Sequence, residues 1–288
     1  MKTPCKNPLS KKMSSAMARG FTLIELLVVI AIIGILAGML MPALARVKLQ
    51  GQITTARSDM QGIVAAVNQY YAEYSRYPTS KEATSTASPD FTFGTIYNSA
   101  LGNGNVSMRA GSTATLPTIV TTTAGGDHEF SNSEVMAILL NLEYYRDKPF
   151  DGAGGPVPYP TSNVNFQRNP RKLGVLTVKD TGTIGAPGLG PDLVYRDPWG
   201  NPYIISMDMN YDGKTWDGLY RFRDVSQKGT SAEGHNGLFS ATPGAPIDNF
   251  EYNGGVMVWS FGPDGTASAN AKANEGVNKD NILSWSSK

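Results

Sequence analysis

The chain has 288 residues, 41% of them hydrophobic and 17% charged, which is enough apolar material for one sizeable domain or two small ones and excludes a disordered protein. Its 25 basic and 24 acidic side chains look balanced, yet residues 1–20 hold Lys2, Lys6, Lys11, Lys12 and Arg19 and no acid, leaving 20 basic against 24 acidic in the body. That division excludes a domain-scale basic footprint for nucleic acid. A single cysteine, Cys5, excludes an intrachain disulfide, and two histidines, His128 and His235, are too few for a histidine-rich metal site.

After the basic leader, residues 26–45 ("LLVVIAIIGILAGMLMPALA") carry no charged side chain over 20 positions, a helix of about 30 Å and so about one hydrocarbon thickness. A secretory signal peptide has a shorter apolar region and a small-residue cleavage site after it. Here the run flows into an amphipathic pattern instead. Ile53, Ala56, Met60, Ile63, Val64, Val67, Tyr71 and Tyr74 recur at steps of three and four, with Arg57, Asp59, Asn68 and Glu73 between them. One helix is therefore expected from about residue 22 to about residue 76, made of a membrane segment (21–45) and an amphipathic continuation (46–78). Tyr77-Pro78 stops it, because the residue before a proline is biased away from helical geometry. The leader lysines predict a cytoplasmic N-terminus with everything after the membrane outside.

Residues 79–190 read as a loop-rich insertion. From Thr79 to Gly126 the chain is rich in Ser, Thr, Ala, Gly and Asn, with strand-like pieces such as "TLPTIVTTT". A short helix is expected near 131–144, where Ser131 and Glu134 have capping-box spacing and Val135, Ile138, Leu139 and Leu142 follow on one face. "FDGAGGPVPYP" then punctuates the chain. Beyond it "LGVLTV", "PYIISM", "LYRFR" and "GVMVWSF" read as short strands. The expected fold class is α+β: a long N-terminal helix packed on a small antiparallel sheet, the sheet belonging chiefly to residues 191–288.

"DMNYDG", Asp208 to Gly213, fits the first half of an EF-hand loop, with Asp208, Asn210 and Asp212 at alternate positions and glycine at the sharp turn. Leu219 stands where the closing bidentate glutamate belongs, so Asp217 or a distant acid would have to complete the shell. The competing reading is a hairpin turned by Asp212-Gly213. No hydrolase elbow, zinc-protease or phosphate-loop motif is present, and no paired cysteines, so the chain reads as a non-enzyme.

"ARGFTLIELLVVIAIIGILAGMLMPAL" resembles the N-terminus of the type IV pilin superfamily. The resemblance implies that a membrane prepilin peptidase removes leader 1–20 by cutting after Gly20 and N-methylates Phe21, and that Pro42 kinks the membrane helix. It also gives Glu25 a role. A carboxylate in hydrocarbon costs several kcal/mol unless neutralised or paired, and cutting at Gly20 creates a cationic amine at Phe21. The family's assembly implies pairing of Glu25 with the Phe21 amine of an adjacent copy, which makes burial of the charge conditional on polymerisation. The alternative is a carboxylate that snorkels to the headgroups.

"RDPWGNPYIIS" (196–206), "VWSFGPDG" (258–265) and "DNILSW" (280–285) resemble, in that order, the C-terminal half of the major pseudopilins of type II secretion. In this reading Asp197-Pro198 opens a turn, Trp199 plugs an apolar surface, and Gly200-Asn201 tolerates left-handed geometry. The resemblance further implies that calcium closes the long polar loop from Phe261 to Trp285, held by the side chains of Asp264, Asp280 and Asn281 and the backbone carbonyl of Phe261. The implied function is a structural subunit of a pseudopilus. Its partners would be copies of itself, the prepilin peptidase, an inner-membrane assembly platform and minor pseudopilins, without nucleic acid. The implied location is the bacterial inner membrane with a periplasmic C-terminal domain, then a filament. A type IV pilus subunit for adhesion, motility or DNA uptake stays open, as does a membrane-anchored, calcium-dependent glycan-binding module with Trp216 and Tyr211 stacking on sugar.

Overall fold

The computed structural model describes residues 21–86, 90–94, 105–107, 131–146, 159–183, 185–229, 232–240 and 249–286. The leader with Gly20 and the "TLPTIVTTT" segment lie outside these described residues. The chain divides into two compact units, Met1–Leu49 and Gln50–Lys288. The regular elements are α1 (Leu23–Tyr74), α2 (Lys81–Thr86), β1 (Phe91–Phe93), β2 (Asn105–Ser107), α3 (Ser133–Leu139), β3 (Gly188–Leu189), β4 (Tyr195–Arg196), β5 (Ile204–Met207), β6 (Lys214–Thr215), α4 (Arg223–Ser226), β7 (Phe239–Ser240), β8 (Phe250–Asn253), β9 (Val256–Ser260), β10 (Thr266–Ser268) and β11 (Ile282–Leu283). This is the expected α+β class.

Helix α1 is continuous through Pro42. It ends where Ser75 takes a left-handed conformation and returns its amide to the Tyr71 carbonyl at 2.8 Å. The buried stripe of its second half is Ala56, Met60, Ile63, Ala66, Val67 and Tyr70. Tyr70, not Tyr71, is the core tyrosine. It follows Ile63 by two turns and Val67 by three residues, and its hydroxyl donates to the carbonyl of Arg168. Tyr71 is left in a stack with Tyr77 and Tyr211.

The main sheet is antiparallel with strand order β1-β5-β9-β11. Side chains alternate across it, as strand geometry requires. Ile205, Met207, Val256, Val258 and Ile282 join the core containing α1. Ile204, Met257, Trp259 and Leu283 enter a second core with Leu219, Tyr220, Val225, Leu238, Phe250 and Phe261. Burial on both faces explains why "YIISM" and "VMVWSF" read as nearly continuous apolar runs.

Several local expectations are corrected. The insertion is not all decoration: Phe91–Phe93 forms the β1 edge of the main sheet, Thr92 facing Ser206 with 2.8 Å between hydroxyls, and Asn105–Ser107 pairs with β10. Helix α3 is shorter than 131–144 and is buried through all of Val135–Leu139, because it fills space inside the core. Its capping box does not form, since the Glu134 carboxylate accepts the Ser80 amide at 2.7 Å. "LGVLTV" is no strand; Val175 donates to the Leu139 carbonyl at 3.0 Å and its neighbours lean on the core as irregular chain. "LYRFR" curls instead of extending, because Asp217 Oδ1 accepts the amides of Leu219 and Tyr220 at 2.8 and 3.0 Å and leads the chain toward α4. Asp212-Gly213 turns no hairpin either: β5 pairs with β9 while β6 pairs with β8.

The "DPWGNP" turn closes through the Gly200 amide on the Asp197 carbonyl at 3.0 Å. Gly200, at φ 93°, supplies the left-handed position, and a Cβ there would meet the Gly185 carbonyl. Trp199 packs on the core only partly buried, whereas Trp259 is the fully buried tryptophan.

Candidate functional site

Within the first unit, α1 has no apolar partner among the described residues. From Phe21 to Gln50 every residue except Ala37 is exposed, including Leu23, Ile33 and Leu40. The helix is long and apolar enough to cross a membrane. Its N-terminus carries a device that the sequence reading passed over. Glu25 Oε2 accepts the amide and the hydroxyl of Thr22 at 2.8 and 2.7 Å, and Thr22 Oγ1 accepts the Glu25 amide at 3.3 Å. That is a capping box, legible as T-x-x-E. Glu25 therefore satisfies donors at the start of the first turn while standing four residues after Phe21. Phe21 and Pro42 lie on the same exposed stretch.

The second cluster is the C-terminal loop. Asp197 is buried and organises its entry: Oδ1 accepts the amides of Trp199 and Asn201, each at 2.9 Å, and Oδ2 accepts the Ser260 hydroxyl at 2.6 Å. Asn201 Nδ2 donates to the Gly262 carbonyl at 3.1 Å, so the turn and the loop start are tied together. Burial pushes the Asp197 carboxyl above its ordinary range, against the pull of those donors. Beyond Gly262, the Asp264 amide donates to Asp280 Oδ2 at 3.3 Å. The Asp280 carboxyl is raised first by burial and then by the charge of Asp264. Asn281 Nδ2 donates to the Tyr220 hydroxyl at 2.9 Å, while its Oδ1 is buried without a partner. Asp264 and Asp280 thus form a repelling carboxylate pair of the hard-oxygen kind that a cation would neutralise.

The loop from Asp208 to Gly213 is arranged differently. Asp208 accepts the Asp212 and Gly213 amides at 3.2 and 2.8 Å. Asp212 accepts the Lys214 amide at 2.9 Å and the Asn210 side-chain amide at 3.1 Å, and Asn210 Oδ1 accepts the Asp212 amide at 3.1 Å. Asp208, Asn210 and Asp212 thus all already serve the loop's own backbone or side chains. Asp217 does not complete a shell, because it holds the Ser206 hydroxyl at 2.6 Å and the Trp259 indole at 2.9 Å in the second core. An acid distant in sequence that does stand near this loop is Asp90, which local pattern does not single out. Its carboxylate accepts the amides of Met209 and Trp216 at 3.0 and 2.9 Å, and burial, with Asp208 and Asp212 nearby, pushes it up to about 7. Among the described residues no three His, Cys, Asp or Glu side chains are grouped to hold a metal.

The sugar-stacking pair is not assembled. Trp216 is buried beneath the Arg221 guanidinium, 4.6 Å from its ring, while Tyr211 is exposed and stacks on Tyr77.

An N-terminal apolar helix whose second half packs into an antiparallel α+β head is the architecture on which the similarities bear: the first helix carries the N-terminal motif of type IV pilin-like proteins, and the chain is similar to them over that region. The family described as the prokaryotic N-terminal methylation motif matches residues 15–41. Among curated relatives, a type IV major pilin protein of Neisseria gonorrhoeae is 37% identical over 75 residues, 26% of this chain and 46% of the relative. The type II secretion system core protein G of Pseudomonas aeruginosa is 38% identical over 63 residues, 22% of this chain and 44% of the relative. The core protein G of Klebsiella pneumoniae is 39% identical over 64 residues, 22% of this chain and 46% of the relative. The chain thus spans less than half the length of these relatives. No solved structure matches it.

Proposed function

We propose that the chain is a structural subunit of a pilus-like filament, of the pseudopilin kind that serves type II secretion. The observation that carries this reading is the apolar half of α1, exposed around its circumference and without a partner among the described residues. Lipid covers such a surface before assembly and neighbouring helices cover it afterwards; head-to-tail contacts that do not close give a filament. In this reading the prepilin peptidase cuts after Gly20 and N-methylates Phe21. Glu25 then exchanges its Thr22 partners for the Phe21 amine of an adjacent copy, so that register is set by a charge pair buried only in the polymer. Pro42 leaves one carbonyl of the helix without its donor, a place where the helix can bend.

The choice of pseudopilin rests on the "DPWGNP", "FGPDG" and "DNILSW" segments, which meet at the C-terminal loop. Calcium there would be held by Asp264, Asp280, Asn281 and the Phe261 carbonyl, and would neutralise the two carboxylates while tying the loop's ends. A pilus subunit is the second reading, since a major pilin stands among the relatives as well as core protein G. Expression of the full chain in a host carrying the peptidase and an assembly platform tests the proposal. The wild type is expected to lose its leader and form filaments, Gly20→Val to stay full length, and Glu25→Val to be processed and inserted with a reduced filament yield. Processing of Gly20→Val, or wild-type assembly by Glu25→Val, overturns the corresponding role. Deletion in the native host separates the readings: lost protein secretion supports the first and lost surface pili the second.

A further inference from the structure

The segment that ends the head packs on α1 around a small depression of about 390 Å³, lined by Arg57, Met60, Gln61, Leu283, Ser284 and Trp285 among others. Its walls are fixed. Gln61 Nε2 donates to the Ser284 carbonyl at 2.9 Å. Ser284 is held to β9 from both sides, its amide donating to the Val258 carbonyl at 2.8 Å and its hydroxyl accepting the Val258 amide at 3.0 Å. The Trp285 ring lies edge-on to Tyr220 at 5.4 Å. In this tightly satisfied setting two donors stand out: Arg57 Nε and Trp285 Nε1 are both buried, and neither has a hydrogen-bond partner among the described residues. A buried donor left unmade is costly, and here the two residues that carry such donors, one of them an arginine, line the same opening. Among the described residues no acidic side chain lines it.

We propose that this depression is a carboxylate-binding site, in which Arg57 and the Trp285 indole N–H donate to one carboxylate and Met60 and Leu283 seat the carbon that bears it. A guanidinium edge offers two parallel N–H groups that match a carboxylate. Arg57 is only half-buried, so a change of its side-chain torsions brings the Nε–H edge to the opening. Trp285 is already placed by its aromatic neighbours. The carboxylate comes either from a free small acid or from an acidic side chain of a second copy, and the site does not depend on the filament reading.

The test uses the full chain in neutral detergent micelles, with acetate as the probe and chloride at matched ionic strength as the control. The indole N–H resonance of Trp285, identified by its loss in Trp285→Phe, is followed by NMR. Acetate is expected to shift this signal saturably, with a dissociation constant on the order of millimolar. Arg57→Gln should weaken the response at least about tenfold, while the other three indole signals, reporting the folded head, stay in place. If the signal is instead already shifted in concentrated protein without acetate, and returns on dilution in step with dissociation seen by sedimentation, the carboxylate belongs to a second copy. An unmoved Trp285 signal under both acetate and concentration, an equal shift with chloride, or an undiminished response in Arg57→Gln overturns the proposal.

Discussion

The two halves of α1 solve opposite problems with the same helical geometry. Before Gln50 its apolar residues are exposed on all sides and find nothing in their own chain; after it, Ala56, Met60, Ile63, Val67 and Tyr70 form a single buried stripe. The difference lies in pattern rather than in hydrophobic content. An all-round apolar surface demands a surrounding medium or other helices, whereas a one-sided surface demands a sheet. In the proposed reading the first half is therefore silent in the stability of the isolated chain and decisive for association, and the second half the reverse.

One substitution made twice exposes this contrast most sharply. Ile63→Ala empties a fully buried position and is expected to lower the unfolding free energy of the Gln50–Lys288 unit by about 2–5 kcal/mol. Ile33→Ala, on the exposed half, should leave it within about 0.5 kcal/mol and reduce filament yield instead. Denaturant titration of the micelle-solubilised full chains measures both. Equal destabilisation by the two would break the comparison.

The head's self-sufficiency can be probed next through its C-terminal loop. A ligand that binds only the native state adds about 2.7 kcal/mol at a hundredfold excess over its dissociation constant. Chelation is expected to lower the melting temperature of the full chain by calorimetry, and Asp264→Ala to abolish most of that response. Asp208→Ala should change it less, because the Asp208 oxygens already accept two amides of their own loop. A wild type indifferent to chelator means that packing alone holds the loop; a response lost only in Asp208→Ala moves the site to the other loop.

The remaining contrast is one of pH and comes from Asp90. Its carboxyl is raised to about 7 by burial and by Asp208 and Asp212, so the folded state favours the protonated form more than the unfolded chain does. Its contribution is fully present below the ordinary aspartate range, is lost as pH rises toward 7, and changes no further above that. The slope from this one group cannot exceed about 1.4 kcal/mol per pH unit. Asp90→Asn should flatten the fall in stability between pH 4 and 7, read as unfolding midpoints across that window. An unchanged slope would show that Asp90 titrates near its ordinary value.

What could be read from the sequence follows from where periodicity is locally decided. Helix α1, its end near Pro78, and strands "YIISM" and "VMVWSF" were legible because burial on defined faces writes itself into the residue order. Tyr70 and Tyr71 were confused because adjacent aromatics both continue a three-and-four spacing. "LYRFR" misled because its alternation is that of a strand, whereas the curl is imposed by the carboxylate of Asp217. Phe91–Phe93 was hidden in a polar stretch: three residues suffice for an edge strand when Met207, Ser206 and Ile205 supply the register. Of the site residues, Glu25 was legible as an anomaly in an apolar run, but its bond to Thr22 was not sought. Asp90 could not be found by local pattern, because its importance depends on Met209 and Trp216 far along the chain.

The strand order β1-β5-β9-β11 also dictates a timetable. Phe91 pairs with Met207, 116 positions further on, and the sheet is not complete until Ile282 and Leu283 lie beside β9. Pairings of such separation are slow to form, because the loop between the partners must be closed before any contact rewards it. During synthesis the stripe of Met60, Ile63 and Val67 emerges early and waits for almost the entire remaining chain before its sheet exists. In a protein whose first helix enters a membrane, that waiting surface begins close to lipid. In the proposed filament reading, release of the finished C-terminus, more than insertion of the N-terminus, then sets the moment at which a subunit becomes competent to assemble.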